Sequence, residues 1–168
     1  YLNYDYITGC DSGDTILKDM ANIVGVSTEW IKSINNNTIG GQYLISDVNP
    51  DYFFKVYKDS TYLWSYIKDK DTNYQKWCQE MIATLWNMNN FGVIPTEADS
   101  MEFTWSTDPY SELQTHNILH NAGVIDDNGP EFFKGKFVDH IPTKEDLTIN
   151  SGNASDFYAE TVMRALNY

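Results

Sequence analysis

Residues 15–35 read TILKDMANIVGVSTEWIKSIN, and the spacing of their apolar side chains decides the fold class. Ile16, Met20, Ala21, Ile23 and Val24 recur at helical intervals, and Trp30, Ile31 and Ile34 do so again beyond Gly25-Val26-Ser27. Apolar residues three and four apart share one side of a helix, whereas a strand alternates with a period of two. Gly25 suits the left-handed residue that closes a helix, Ser27 can cap the next one through its hydroxyl, and Glu29 adds favourable charge to its opening turn. The stretch therefore predicts a helix, a tight turn and a second helix.

Farther along, Tyr74, Trp77, Cys78, Met81, Ile82, Leu85 and Trp86 keep the same period and predict a central helix over 72–88, with Gly92 just beyond its end. Shorter helices are predicted over 61–68, over 109–121 from the cap-and-proline pair Asp108-Pro109, and over 155–167. Tyr43-Leu44-Ile45 predicts a short strand after Gly40-Gly41, and further strand pieces are expected near 102–105 and 136–138. The fold class is α+β and predominantly α-helical. A small N-terminal βααβ or helical-hairpin unit over 1–50 packs beside a bundle of about four helices over 51–168. Asn49-Pro50-Asp51 marks the boundary within what is expected to be one compact domain.

With 42% hydrophobic and 15% aromatic residues in 168, the chain has the material for a packed core. Against 24 Asp and Glu stand only 11 Lys and Arg, a net charge of −13. Such a surface repels nucleic acid and anionic lipid, and it favours a neutral or basic partner. No apolar run approaches the roughly 20 residues that span a bilayer, so no membrane insertion is expected. The chain opens on Tyr1 without an initiator Met or a secretory signal, which reads as a processed or trimmed form.

Cys10 and Cys78 are the two cysteines. In an oxidising compartment a disulfide between them would close a long loop, worth roughly 4 kcal/mol in the chain-entropy model. The alternative is a pair of unrelated buried thiols, since Cys78 falls on the apolar face of the predicted central helix. Asn36-Asn37-Thr38 and Asn153-Ala154-Ser155 have the form of glycosylation sequons.

Gly13-Asp14-Thr15-Ile16, Ala21, Gly25-Val26-Ser27, Ile31, Asn35 and Gly41-Gln42-Tyr43-Leu44 together resemble the LysM module, a small βααβ unit that binds N-acetylglucosamine-containing glycans. The resemblance covers about a quarter of the chain. It implies a shallow groove between two loops, formed here by Gly13, Asp14, Thr15 and Ile16 on one side and Asn36, Asn37, Thr38 and Ile39 on the other. The segment Leu17 to Ala21, Gly25-Val26-Ser27-Thr28, Ile31 and Asn35 is also similar to the helix-turn-helix of LacI-type repressors. DNA readers of that kind neutralise many phosphates, yet residues 1–50 offer only Lys18 and Lys32 against six carboxylates, so no nucleic acid is expected as a partner.

Other constellations carry less. His116 and His120 are one turn apart on the predicted 109–121 helix and His140 follows a loop, which makes the three candidate metal ligands. The Glu that a zinc protease needs after its first His is replaced by Asn117. Asp69, Asp71, Asn73 and Glu80 have calcium-loop spacing, but Tyr74 stands where that loop turns on Gly. Glu97 and Glu102 could pair for acid and base work on a sugar. Exposed Tyr and Trp rings would either stack on sugars or anchor a protein.

The expectation placed first is extracellular or cell-surface binding of a polysaccharide, chitin or peptidoglycan, by a secreted protein without a cofactor. The second is an acidic protein-binding factor, of inhibitor or immunity type, directed at a basic protein. A secreted enzyme or toxin comes third, with binding favoured over catalysis.

Overall fold

A computed structural model of the protein describes residues 3–11, 15–35 and 42–168. The architecture is α+β and predominantly helical, and the chain divides into two compact units, Tyr1–Glu97 and Ala98–Tyr168. Residue 50 lies inside the first of them.

The first unit is all helix among the described residues. It contains α1 (Tyr4–Gly9), α2 (Thr15–Val24), α3 (Thr28–Ser33), α4 (Pro50–Ile67) and α5 (Gln79–Asn90), the last entered through a 3-10 turn at Lys76–Cys78. The predicted hairpin is present. Gly25 adopts φ +81°, and the N–H groups of Gly25 and Val26 both turn back onto the Ala21 carbonyl at 2.8 and 3.0 Å, which closes α2. The Ser27 hydroxyl accepts from the Trp30 N–H at 3.1 Å and opens α3. The strands of a βααβ unit are not its flanks here: Tyr4–Gly9 is helical, and Tyr43-Leu44-Ile45, expected as a strand, has no regular structure.

The boundary signal at Asn49-Pro50-Asp51 is in fact a helix start. The Asn49 side chain accepts from the Asp51 N–H at 2.9 Å, and Pro50 occupies the first turn, where its missing N–H costs nothing. The helix expected over 61–68 therefore begins at Pro50. The helix expected over 72–88 begins later, at Gln79, and runs to Asn90. It is buried nearly all round, as a central helix should be, with Ile82, Ala83, Leu85, Trp86 and Met88 in one core with Met20, Ile31, Tyr52, Leu63 and Ile67.

A polar network crosses that core. The buried Asp59 carboxylate accepts from Lys55 Nζ at 2.7 Å and from Asn87 Nδ2 at 2.8 Å. Asn90 Nδ2 donates to Asn87 Oδ1, and both Asn90 Nδ2 and Lys55 Nζ donate to the Val24 carbonyl at the end of α2. A helix terminus thus has its free acceptor satisfied by two other helices, one of them supplying a cation where the dipole is negative.

The second unit pairs β1 (Phe103–Trp105) in parallel with β2 (Ile118–His120), with Thr104 opposite Leu119. The helices α6 (Lys144–Leu147) and α7 (Ser155–Ala165) close a smaller core of Phe132, Leu147 and Ala159. The helix expected over 109–121 is absent. Tyr110–Gln114 forms a 3-10 turn and Ile118–His120 becomes β2, because the Tyr110 N–H donates to Gly152 O and Asp108 O accepts from the Ala154 N–H. A longer helix from Pro109 would claim the Asp108 carbonyl for its own first bond and break the link to Ala154. The strand expected near 102–105 is β1, whereas 136–138 is part of another 3-10 turn, Lys134–Phe137. In the first turn of α7, Asp156 folds the preceding loop: its carboxylate accepts from the Ser151 N–H, the Ser151 hydroxyl and the Gly152 N–H.

Candidate functional site

Of the eight residues of the expected glycan groove, two lie among those described. Thr15 is the exposed first residue of α2, and Ile16 is 5% exposed and packed into the core, so its side chain is turned away from any surface groove. Gly13, Asp14, Asn36, Asn37, Thr38 and Ile39 lie outside the described residues.

The three histidines serve three separate contacts. His116 Nδ1 lies 3.1 Å from Thr104 Oγ1, and its Nε2 lies 3.4 Å from Glu102 Oε2. His120 sits against the Phe103 and Trp105 rings on the sheet, with centroids 5.0 and 4.9 Å away, and His140 lies against Phe137. Helical spacing of His116 and His120 is lost with the helix, and no group of three metal-ligating side chains is gathered among the described residues. Burial and then the Lys134 ammonium hold His120 below the usual imidazole pKa. Glu102, His116 and Thr104 are arranged as an acid, a base and a hydroxyl. Thr104 is wholly buried, however, so no substrate reaches its oxygen, and the trio ties the residue before β1 to the loop before β2.

The disulfide is not formed: Cys10 and Cys78 are both free. Cys78 donates to the Gln75 carbonyl, and burial followed by the Glu80 charge pushes its thiol up to about 12, which makes it a poor nucleophile. In the second sequon the Asn153 amide donates to Glu131 at 2.7 Å and Ser155 is buried, so that asparagine already has its partner.

Two surfaces remain. The first is α4. Its inward side carries Tyr52, Asp59, Leu63 and Ile67, all buried. On the opposite side, Pro50, Phe53, Tyr57, Thr61 and Trp64 follow one another three and four apart, with Phe54 beside Phe53, and Phe53, Phe54, Tyr57 and Trp64 are 56%, 73%, 75% and 48% exposed. Pro50, Phe53, Phe54 and Tyr57 line a shallow, open cleft of about 470 Å³. The Ser60, Thr61 and Ser65 hydroxyls beside this stripe donate to carbonyls of their own helix. Sequence reasoning missed the stripe because it began the helix eleven residues too late; the i, i+3, i+4 spacing from Pro50 was there to be read.

The second surface belongs to residues 98–168. Twelve Asp and Glu there face four Lys and Arg, a net of −8 out of the chain's −13. One Arg or Lys ion pair falls in this unit, Arg164–Glu160 at 3.4 Å, and His116 Nε2 lies 3.4 Å from Glu102. Asp126, Asp127 and Asp139 stand exposed next to exposed Ile125, Val138 and Ile141. Comparison with family models, with curated proteins and with solved structures returns no match to the chain, so the resemblances to the LysM module and to the LacI-type helix-turn-helix gain no support from relatives.

Proposed function

We propose that the chain is an acidic protein-binding factor directed at a basic partner. The observation that carries this is the uncompensated charge of residues 98–168, where exposed carboxylates alternate with the exposed side chains of Ile125, Val138 and Ile141. Carboxylates steer a cationic surface into encounter, and apolar side chains set among them supply the contacts that slow its departure. A polysaccharide is favoured less, because Ile16, one of the residues meant to line its groove, belongs to the core.

The test uses the full chain with two probes, a folded cationic protein and poly-lysine. The association rate should fall about tenfold between low and physiological salt, since an attraction of this kind is screened within about 8 Å. Replacing Asp126, Asp127 and Asp139 by Asn should slow association with the folded probe. Ile141→Ala should leave that rate alone and speed dissociation. An association indifferent to both salt and Ile141 removes the proposal. Retention of the chain on chitin or peptidoglycan, with no binding of either cationic probe, restores the glycan expectation in its place.

A further inference from the structure

The aromatic stripe of α4 is not explained by a basic partner. Along the helix its charged neighbours are Lys58 on one flank, Asp51 at the N-terminal end and Lys68 at the C-cap, the last paired with Asp69 at 3.8 Å, so the helix around the stripe is close to neutral in a chain of −13. Long-range attraction of a cationic groove would draw little from it. Four large rings in water along one helix nevertheless constitute an apolar patch of the size that marks an association surface.

We infer that the occupant of this face is a second copy of the chain, docked so that the two α4 helices cross their aromatic stripes antiparallel about a twofold axis near Tyr57. Three observations lead there. First, exposed fractions of 56%, 73%, 75% and 48% for Phe53, Phe54, Tyr57 and Trp64 correspond to roughly 500 Å² of ring surface per chain at about 200 Å² per aromatic residue. Two copies together bring roughly 1,000 Å², the lower bound for a specific interface. Second, the stripe is self-complementary when reversed. With Tyr57 on the axis, Pro50 of each copy meets Trp64 of the other, a ring against a flat apolar partner, and Phe53 meets the small Thr61. Third, reversal sets the helix dipoles in opposition, whereas a parallel pairing would set like against like. A closed twofold pair is also the commonest oligomer.

Sedimentation of the full chain up to about 100 μM, at salt high enough to shorten the screening length to a few Å, should show a dimer. Phe54→Asp, at a position exposed enough to leave the fold and its far-UV circular dichroism intact, should weaken that dimer about a hundredfold, because a twofold interface feels each substitution twice. In a Cys10→Ser background, Tyr57→Cys should cross-link to itself on mild oxidation with copper phenanthroline and Trp64→Cys should not. A chain that stays monomeric throughout, a dimer indifferent to Phe54→Asp, or self-cross-linking through Trp64→Cys as ready as through Tyr57→Cys overturns the inference. None of these outcomes bears on binding of the cationic probes, which the acidic residues of 98–168 govern.

Discussion

Asp59 shows what a single side chain does for the first unit. Its carboxylate is 3% exposed and holds Lys55 and the wholly buried Asn87, and through them the last carbonyl of α2. Asp59→Ala would strand the Asn87 amide in the core without an acceptor, a loss of about 2–4 kcal/mol in urea unfolding. Lys55→Met would leave that buried carboxylate with the Asn87 amide and no cation, and should cost at least about 2 kcal/mol. Losses below about 1 kcal/mol in both variants would show that the carboxylate is not the hub. Burial also governs the alkaline limb. It pushes Tyr52 up to about 12, with Tyr43 contributing, and Cys78 to about 12, and it raises Tyr74 and Tyr66 as well, the latter with help from its bond to Asp19. These groups ionise more readily in the unfolded chain, which therefore binds fewer protons than the fold above the ordinary Cys and Tyr values of about 8.5 and 10. Stability should be full below that range and fall as pH rises towards 12. The share of tyrosinate absorbance near 295 nm that belongs to Tyr52, Tyr66 and Tyr74 should then appear late and together with loss of helix. A midpoint of urea unfolding that stays flat from pH 9 to 11 would contradict this, at values within about one pKa unit of the ordinary ones.

Elements report how far local signals reach. The hairpin of α2 and α3 was legible because both of its decisive residues act locally: Gly25 through its own φ of +81° and Ser27 through a bond three residues on. A Cβ at Gly25 would meet nothing within 4 Å, so Gly25→Ala tests the backbone alone. It should cost about 1 kcal/mol, the left-handed penalty, with Gly25→Asn costing less, both read as shifts in thermal midpoint. The opening of α4 was equally local, an Asn cap followed by Pro, but the same residues also punctuate loops, and its two apolar sides blur the single stripe that identifies an amphipathic helix. Residues 109–121 carried helix signals that were overruled at long range. The bonds from Tyr110 to Gly152 and from Ala154 to Asp108, and the pairing of β2 with β1, join residues far apart in sequence, which no local pattern discloses. The acidic surface could be counted from the sequence. Which of Ile125, Val138 and Ile141 stayed in water could not, because burial depends on what the rest of the chain covers.

At the scale of the whole molecule, charge gives the two proposed associations opposite responses to one variable. Each chain carries −13, so two copies approaching one another repel, even though the α4 stripe itself is near neutral. Added salt screens that repulsion, reducing its reach from about 10 Å at 0.1 M to about 3 Å at 1 M, and at high concentration it strengthens apolar burial further when the anion is sulfate. The self-association constant should therefore rise with salt. Binding of a basic protein to residues 98–168 draws on the attraction that the same ions screen, so its constant should fall over the same range. Measuring both in one salt series separates the two surfaces without any substitution. If both fall, the self-association is itself electrostatic and does not use the aromatic stripe. If both rise, the partner is held by apolar contact and the carboxylates of the second unit are bystanders.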